Sequence, residues 1–266
     1  MYTYQAPQDL LADKTILVTG ASDGIGKTLA LTLADHGATV IMLGRSQEKL
    51  EAVYDELEHR HPGRAVIHPM DFVTAGPEDY RVLANSLMGQ FPCLDGLVHN
   101  AGMLGARMPI EFYPEKDWQE VMQVNVNAVF YLTKALLPAL TKAADARLLL
   151  TSSSVGRQSR AYWGAYAVSK FATEGLMQTL AEELEATSKV RVNSINPGGT
   201  RTAMRARAYP AEEPGTQPTP EELMPVYLFL FSPEAQPIHG RAIDVRDFDP
   251  ADYLPRQLAR EPLDSA

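Results

Sequence analysis

Two hydrophobic rhythms alternate along the chain. Short β-branched runs read as strands, and longer stretches with apolar positions three and four apart read as helices. Residues 14–19 (KTILVT) predict a buried strand, and residues 26–36 a helix with Leu29, Ala30, Leu33 and Ala34 on one face. Gly37 is placed to end that helix. A second strand is expected over 39–43, a charged helix over 46–59 closed by Pro62 and Gly63, a third strand over 65–69 and a helix over 78–90. The rhythm then repeats. Strands are expected over 94–99, 147–152, 190–196 and 241–245, and helices over 114–142, 162–187 and 220–231. Pro138 marks a candidate break in the first of these helices. No internal repeat or low-complexity tract is visible.

Strictly alternating β and α units predict a parallel sheet with helices on both faces. Right-handed crossovers make it an α/β, Rossmann-like, doubly wound sheet of about seven strands. Ligands of such sheets bind beyond the carboxyl ends of the strands. A length of 266 residues suits one domain, since α/β folds of roughly 250 residues often form one.

Composition narrows the function classes. Apolar residues make up 45% of the chain, enough for a full core, and the formal net charge is −9. An acidic surface argues against nucleic acid and anionic membranes, which are polyanions. The single cysteine, Cys93, allows no internal disulfide and reads as a buried small hydrophobe. No basic region followed by an apolar run opens the chain, and no stretch reaches membrane-spanning length, so a soluble, cytoplasmic protein is expected. The histidines show no metal spacing, and no metal is expected.

The first strand runs into Thr19-Gly20-Ala21-Ser22-Asp23-Gly24-Ile25-Gly26. Gly20 permits a tight turn, Gly24 lets backbone approach a pyrophosphate, and Gly26 lets the helix pack close to the strand. Free N–H groups at the helix start favour the phosphates. A glycine turn with no ligand has the same outline, so the loop needs company.

That company exists. The loop resembles the TGxxxGxG motif of short-chain dehydrogenases/reductases. His99-Asn100-Ala101-Gly102 resembles the family's NNAG segment, Tyr166-Ala167-Val168-Ser169-Lys170 its YxxxK motif, and Pro197-Gly198 its PG motif. The resemblance runs from about Asp9 to Val245, and TSSSVGRQ, MQVNVNA and INPGGTRTAMRA are similar to a bacterial subgroup of uncharacterised oxidoreductases. It implies Tyr166 as general acid/base with Lys170, Ser153 as the serine orienting the substrate oxygen, and Asn125 as the residue whose main chain holds a relay water. Asn127 competes with Asn125, and Ser152 and Ser154 with Ser153. For the cofactor it implies Gly20, Ser22, Asp23, Gly24, Ile25 and Gly26, then Asp71 on adenine, then Asn100, Ala101 and Gly102. Pro197, Gly198, Thr200 and Thr202 complete that set, Thr202 at the carboxamide. His99 and Gly199 depart from the pattern, as does Asp247-Phe248-Asp249-Pro250 where a glycine pair is usual.

Tyr166 and Lys170 share a helix face. A free tyrosine has a pKa of about 10, and reaching neutrality needs roughly 4 kcal/mol. Lysine's ammonium is expected to supply part of it, and an oxidised nicotinamide another. Gly44 stands where NAD-preferring relatives carry an acid, while Arg45 and Ser22 suit a 2′-phosphate. NADP(H) is therefore expected over NAD(H), with hydride moving between nicotinamide and a carbonyl or alcohol. The alternative is a catalytically idle dinucleotide sensor or scaffold.

Residues 9–150 are expected to form mainly the cofactor half and 151–250 the catalytic and substrate half, with a lid over 200–220 and a tail over 250–266. Arg157, Arg160, Trp163, Arg205 and Arg207 are candidates near the pocket. They suit an anionic substrate or an acyl-carrier protein, and equally suit arginines that cover apolar surface or bind cofactor phosphate. The helices over 114–142 and 162–187 are the family's usual interface, implying a homodimer or homotetramer.

Overall fold

A computed structural model describes residues 1–254. Its order is β1 (Thr15–Thr19), α1 (Gly24–Asp35), β2 (Thr39–Gly44), α2 (Gln47–Arg60), β3 (Ala65–Pro69), α3 (Pro77–Gln90) and β4 (Gly96–His99). The second half holds α4 (Glu115–Met122), α5 (Ala128–Leu140), β5 (Ala146–Thr151), α6 (Gly164–Glu185), β6 (Val190–Asn196), α7 (Ala203–Ala208), α8 (Met224–Leu230) and β7 (Arg241–Asp244). The seven strands form one parallel sheet in the order β3-β2-β1-β4-β5-β6-β7. The order reverses between β1 and β4, which opens a crevice at their carboxyl ends.

Alternate side chains of the buried strands feed two cores. Ile16 and Val18 of β1 join Leu29 and Leu33 of α1, and Tyr227 and Leu230 of α8. Leu17 faces the other way, with Leu83 and Leu87 of α3, Leu132 and Leu136 of α5, and Met177 of α6. Helices thus cover both faces of the sheet, as the alternating sequence pattern predicts.

Several boundaries differ from expectation. α1 begins at Gly24, two residues early, because Asp23 caps it with a 2.8 Å bond from the Gly24 N–H. The expected helix over 114–142 is not broken at Pro138, which sits in the last turns of α5. Proline there forfeits a single bond near a helix end, where the ladder is stopping anyway. The interruption lies at Gln123–Asn127, a π turn where the Ala128 N–H reaches back to the Gln123 carbonyl. The expected loop after β6 contains α7, capped by the Thr202 hydroxyl. Cys93 is half-buried rather than buried, and burial pushes its thiol pKa up. Of the tail over 250–266, a 3₁₀ turn at Pro250–Asp252 is seen, and residues 255–266 lie outside the described residues. Among the described residues no helix is long and apolar enough to cross a membrane, and no group of three or more His, Cys, Asp or Glu is placed to hold a metal.

Candidate active site

The glycine turn is held from below. The Thr19 hydroxyl accepts from the Asn100 and Ala101 N–H groups at 3.0 Å each. The Asn100 amide nitrogen donates to the carbonyls of Thr19 at 3.0 Å and Gly20 at 3.3 Å. Asn100 therefore braces the turn as well as lining the crevice. Gly20 and Gly24 have φ of +66° and +51°, the left-handed region that a side chain resists. A Cβ on Gly26 would sit 2.5 Å from the Asn100 amide nitrogen and closer still to the Gly20 carbonyl oxygen. Bare backbone and the N-terminus of α1 thus face the crevice, a cradle suited to an anion.

The crevice is a cleft of ≈ 330 Å³, at the lower end of the range of about 300–1,000 Å³ usual for ligand sites. Gly20, Asp23, Gly24, Ile25, Asn100, Ala101, Gly102, Pro197, Gly198, Thr200 and Thr202 line it, together with Ser153, Tyr166 and Lys170. Ser22, Gly26, Arg45, Asp71 and Asn125 do not. Ser22 and Arg45 still belong together, since a Cβ on Gly44 would lie 3.2 Å from the Ser22 hydroxyl, and Arg45 is exposed immediately beyond it. Asp71 is occupied locally, accepting the Val73 N–H at 3.0 Å. Asp23 pairs with Lys49 at 2.9 Å, and this hydrogen-bonded ammonium holds its carboxyl below the usual range.

Lys170 is 4% exposed, and its ammonium donates to the Thr151 carbonyl at 2.6 Å. Burial lowers its pKa to about 8, against the opposing pull of the Glu174 carboxylate. Tyr166 behaves otherwise than expected. Burial pushes its phenol up to about 12, and the hydrogen bond to Ser153 only partly offsets this. Burial disfavours the phenolate, so the shift runs opposite to the lowering expected from the lysine. Ser153 is half-buried and lines the cleft with Tyr166, whereas Ser152 is buried and Ser154 exposed. Gly156 makes this possible, since a Cβ there would lie 2.8 Å from the Lys170 backbone.

Asn125 sits in the π turn beneath the cleft and is 2% exposed. Its carbonyl oxygen accepts the Met103 N–H at 2.8 Å, and its amide donates to the Met103 carbonyl and the Ser169 hydroxyl, both at 2.9 Å. Asn127 is exposed and bonds Gln123. Of the arginines, Arg160, Arg205 and Arg207 line the cleft beside Trp163. Arg157 does not. It turns away to Glu174 at 3.1 Å and Asp244 at 2.5 Å.

Sequence reasoning missed Thr19, Thr151, Glu174 and Arg107. The guanidinium carbon of Arg107 stacks 4.7 Å from the Trp163 ring and 4.8 Å from the Tyr209 ring, and the guanidinium donates to the Ala208 carbonyl. Thr19 was legible as the first letter of its motif. The others act through backbone or through partners distant in sequence, which no local pattern signals.

Known proteins resemble this chain in sequence and fold. The short chain dehydrogenase family profile matches residues 14–213. The chain is 51% identical over 243 residues to the uncharacterised oxidoreductase YciK of Escherichia coli K12, covering 91% of this chain and 96% of that protein. A short chain dehydrogenase of Shigella flexneri 2a, crystallised with NADP, is 50% identical with a TM-score of 0.88, covering 90% of this chain and 100% of its own. A counterpart from Escherichia coli CFT073, crystallised with NADPH, is 51% identical with a TM-score of 0.88, covering 90% and 99%. With the profile spanning residues 14–213 and half of the positions shared with YciK, the chain belongs to the short-chain dehydrogenase family.

Proposed function

We propose that the chain is an NADP(H)-dependent oxidoreductase that reduces a carbonyl to an alcohol, or reverses that reaction, with Tyr166 moving the proton. The observation carrying this reading is the shared cleft, in which Tyr166, Ser153 and Lys170 lie alongside the bare glycine turn. The bound dinucleotide supplies or accepts hydride. The residues present fit it, with Gly20, Ser22, Asp23, Gly24, Ile25 and Gly26 at its phosphates. Arg45 and Ser22 suit the 2′-phosphate, Asp71 the adenine, and Asn100, Ala101, Gly102, Pro197, Gly198, Thr200 and Thr202 the remainder. NADP and NADPH in the two solved relatives support that choice.

Each chain residue has a task. Ser153 donates a hydrogen bond to the substrate oxygen and orients it. Tyr166, kept protonated by burial, gives its proton to that oxygen as negative charge develops there. Lys170 stabilises the phenolate left behind and passes on a replacement proton. The Asn125 side chain is fully engaged, which leaves its main chain for a relay water. Residues 200–220 close over the substrate as a lid, tied down by Arg107. Exposed Phe130 on α5, and Val168 and Phe171 on α6, support self-association through those helices. The test is NADPH and NADH oxidation by the wild-type chain over a panel of ketones and aldehydes. Oxidation of NADPH by at least one carbonyl is expected. A preference for NADH, or no turnover across the panel, contradicts the reading.

A further inference from the structure

We propose that the substrate is a small carboxylate-bearing carbonyl compound, its apolar body on Trp163 and its carboxylate on Arg160 and Arg207. This rests on the oxidoreductase reading above and names its substrate class.

The two ends of the cleft differ. α7 runs between them. It starts at the glycine turn, where a Cβ on Gly24 would lie 3.2 Å from the Thr202 methyl. It ends at Ala208 and Tyr209, which cluster with Val155, Trp163, Ala167 and Tyr166. At 1.5 Å per residue, Arg207 lies about 7.5 Å farther along the helix than Thr202. The Arg207 backbone therefore adjoins Ala208 and Tyr209 at the Tyr166 end. Arg160 reaches the same end from the segment between Ser153 and α6.

The other arginines of this neighbourhood are spent. Arg205 makes two bonds of 2.6 Å to Glu212 and stacks 3.8 Å from the Tyr209 ring. Arg157 is held by Glu174 and Asp244. Arg107 is clamped between Trp163 and Tyr209. Arg160 and Arg207 are exposed at the cleft and take no described residue as a side-chain hydrogen-bond or ion-pair partner. Among the described residues, Asp23 is the only acidic one lining the cleft, at the opposite end and already paired with Lys49.

This concentration runs against the whole molecule. In a chain of net charge −9, the cleft lining holds two guanidinium groups that pair with no described residue, and the nearby carboxylate of Glu212 is already held by Arg205. Such a lining focuses field lines and draws anions. Guanidinium forks match a carboxylate with paired bonds. Leu104, Val155, Trp163 and Met204 give the same cleft an apolar lining, which suits an apolar spacer.

The experiment is calorimetric titration of the NADP+-loaded protein with para-formylbenzoate and with its methyl ester. It is done for wild type and for the Arg160→Ala/Arg207→Ala double variant. Binding needs no turnover. The acid is expected to bind about tenfold tighter than the ester, a discounted value for partly exposed charge-assisted bonds. That ratio is expected to fall toward one in the double variant. Equal binding of acid and ester by wild type, no binding of either, or a ratio unchanged in the variant overturns the inference. Reduction of the ester without preference for the acid leaves the oxidoreductase reading standing, whereas no reduction of any carbonyl is the failure of that reading.

Discussion

Asn125 and Ser169 join the π turn to the helix that carries Tyr166. The Asn125 amide donates to the Ser169 hydroxyl at 2.9 Å, and that hydroxyl donates to the Tyr166 carbonyl at 2.7 Å. Two elements 44 residues apart in sequence are thereby fixed beneath one cleft.

Removing this link costs stability. Asn125→Ala leaves the half-buried Met103 N–H and carbonyl without their partner, at a cost of about 1–3 kcal/mol. Ser169→Ala loses one buried hydroxyl bridge and costs about 1 kcal/mol. Urea denaturation reads both, and an Asn125→Ala midpoint equal to wild type contradicts the bracing role.

Two glycines make opposite predictions. Gly26→Ala drives a methyl into the Gly20 carbonyl and the Asn100 amide, so the turn must shift and dinucleotide affinity collapses. Gly89→Ala in α3 meets nothing within 4 Å, and stabilises the fold by about 0.5–1 kcal/mol through lower unfolded-state entropy. NADPH titration and thermal unfolding of the two variants check this pair.

The pH dependence of reduction follows Lys170. Its ammonium, with a pKa lowered by burial to about 8, disappears as pH rises through that value, and reduction falls with it. Glu174 is its opposing carboxylate, the neutral His99 lies nearby and is pushed to about 3, and Arg157 pairs with Glu174. Glu174→Gln removes the charge that holds Lys170 up, so the alkaline fall moves about one pH unit lower. A profile of kcat/KM for both proteins reads the shift, and a fall that stays in place or moves upward refutes it.

Arg45 discriminates cofactors. Arg45→Ala is expected to raise the KM for NADPH about 10- to 100-fold, the worth of a charge-assisted fork on phosphate. NADH should change little. Equal effects on both would remove Arg45 from the 2′-phosphate.

The strands were the most legible elements. Runs such as TILVT and RLLL are buried along their length, and β-branched or leucine runs of that length between polar breaks leave few other readings. The π turn was not legible, because Val121, Val124 and Ala128 continue a helical apolar pattern straight through it. Tyr166 and Lys170 could be found from motif spacing, but their proton affinities could not, since burial sets both. Arg157 was misplaced for a similar reason. Its partners Glu174 and Asp244 are 17 and 87 residues away, and only the fold brings them to it.

The central claim is that Tyr166 supplies the proton. Its most direct test is the rate of NADPH oxidation by a carbonyl substrate for Tyr166→Phe beside wild type, with NADPH affinity measured on both. Loss of a general acid predicts a fall of about 10²- to 10⁴-fold in kcat at unchanged NADPH affinity. Equal turnover by the two proteins would contradict it.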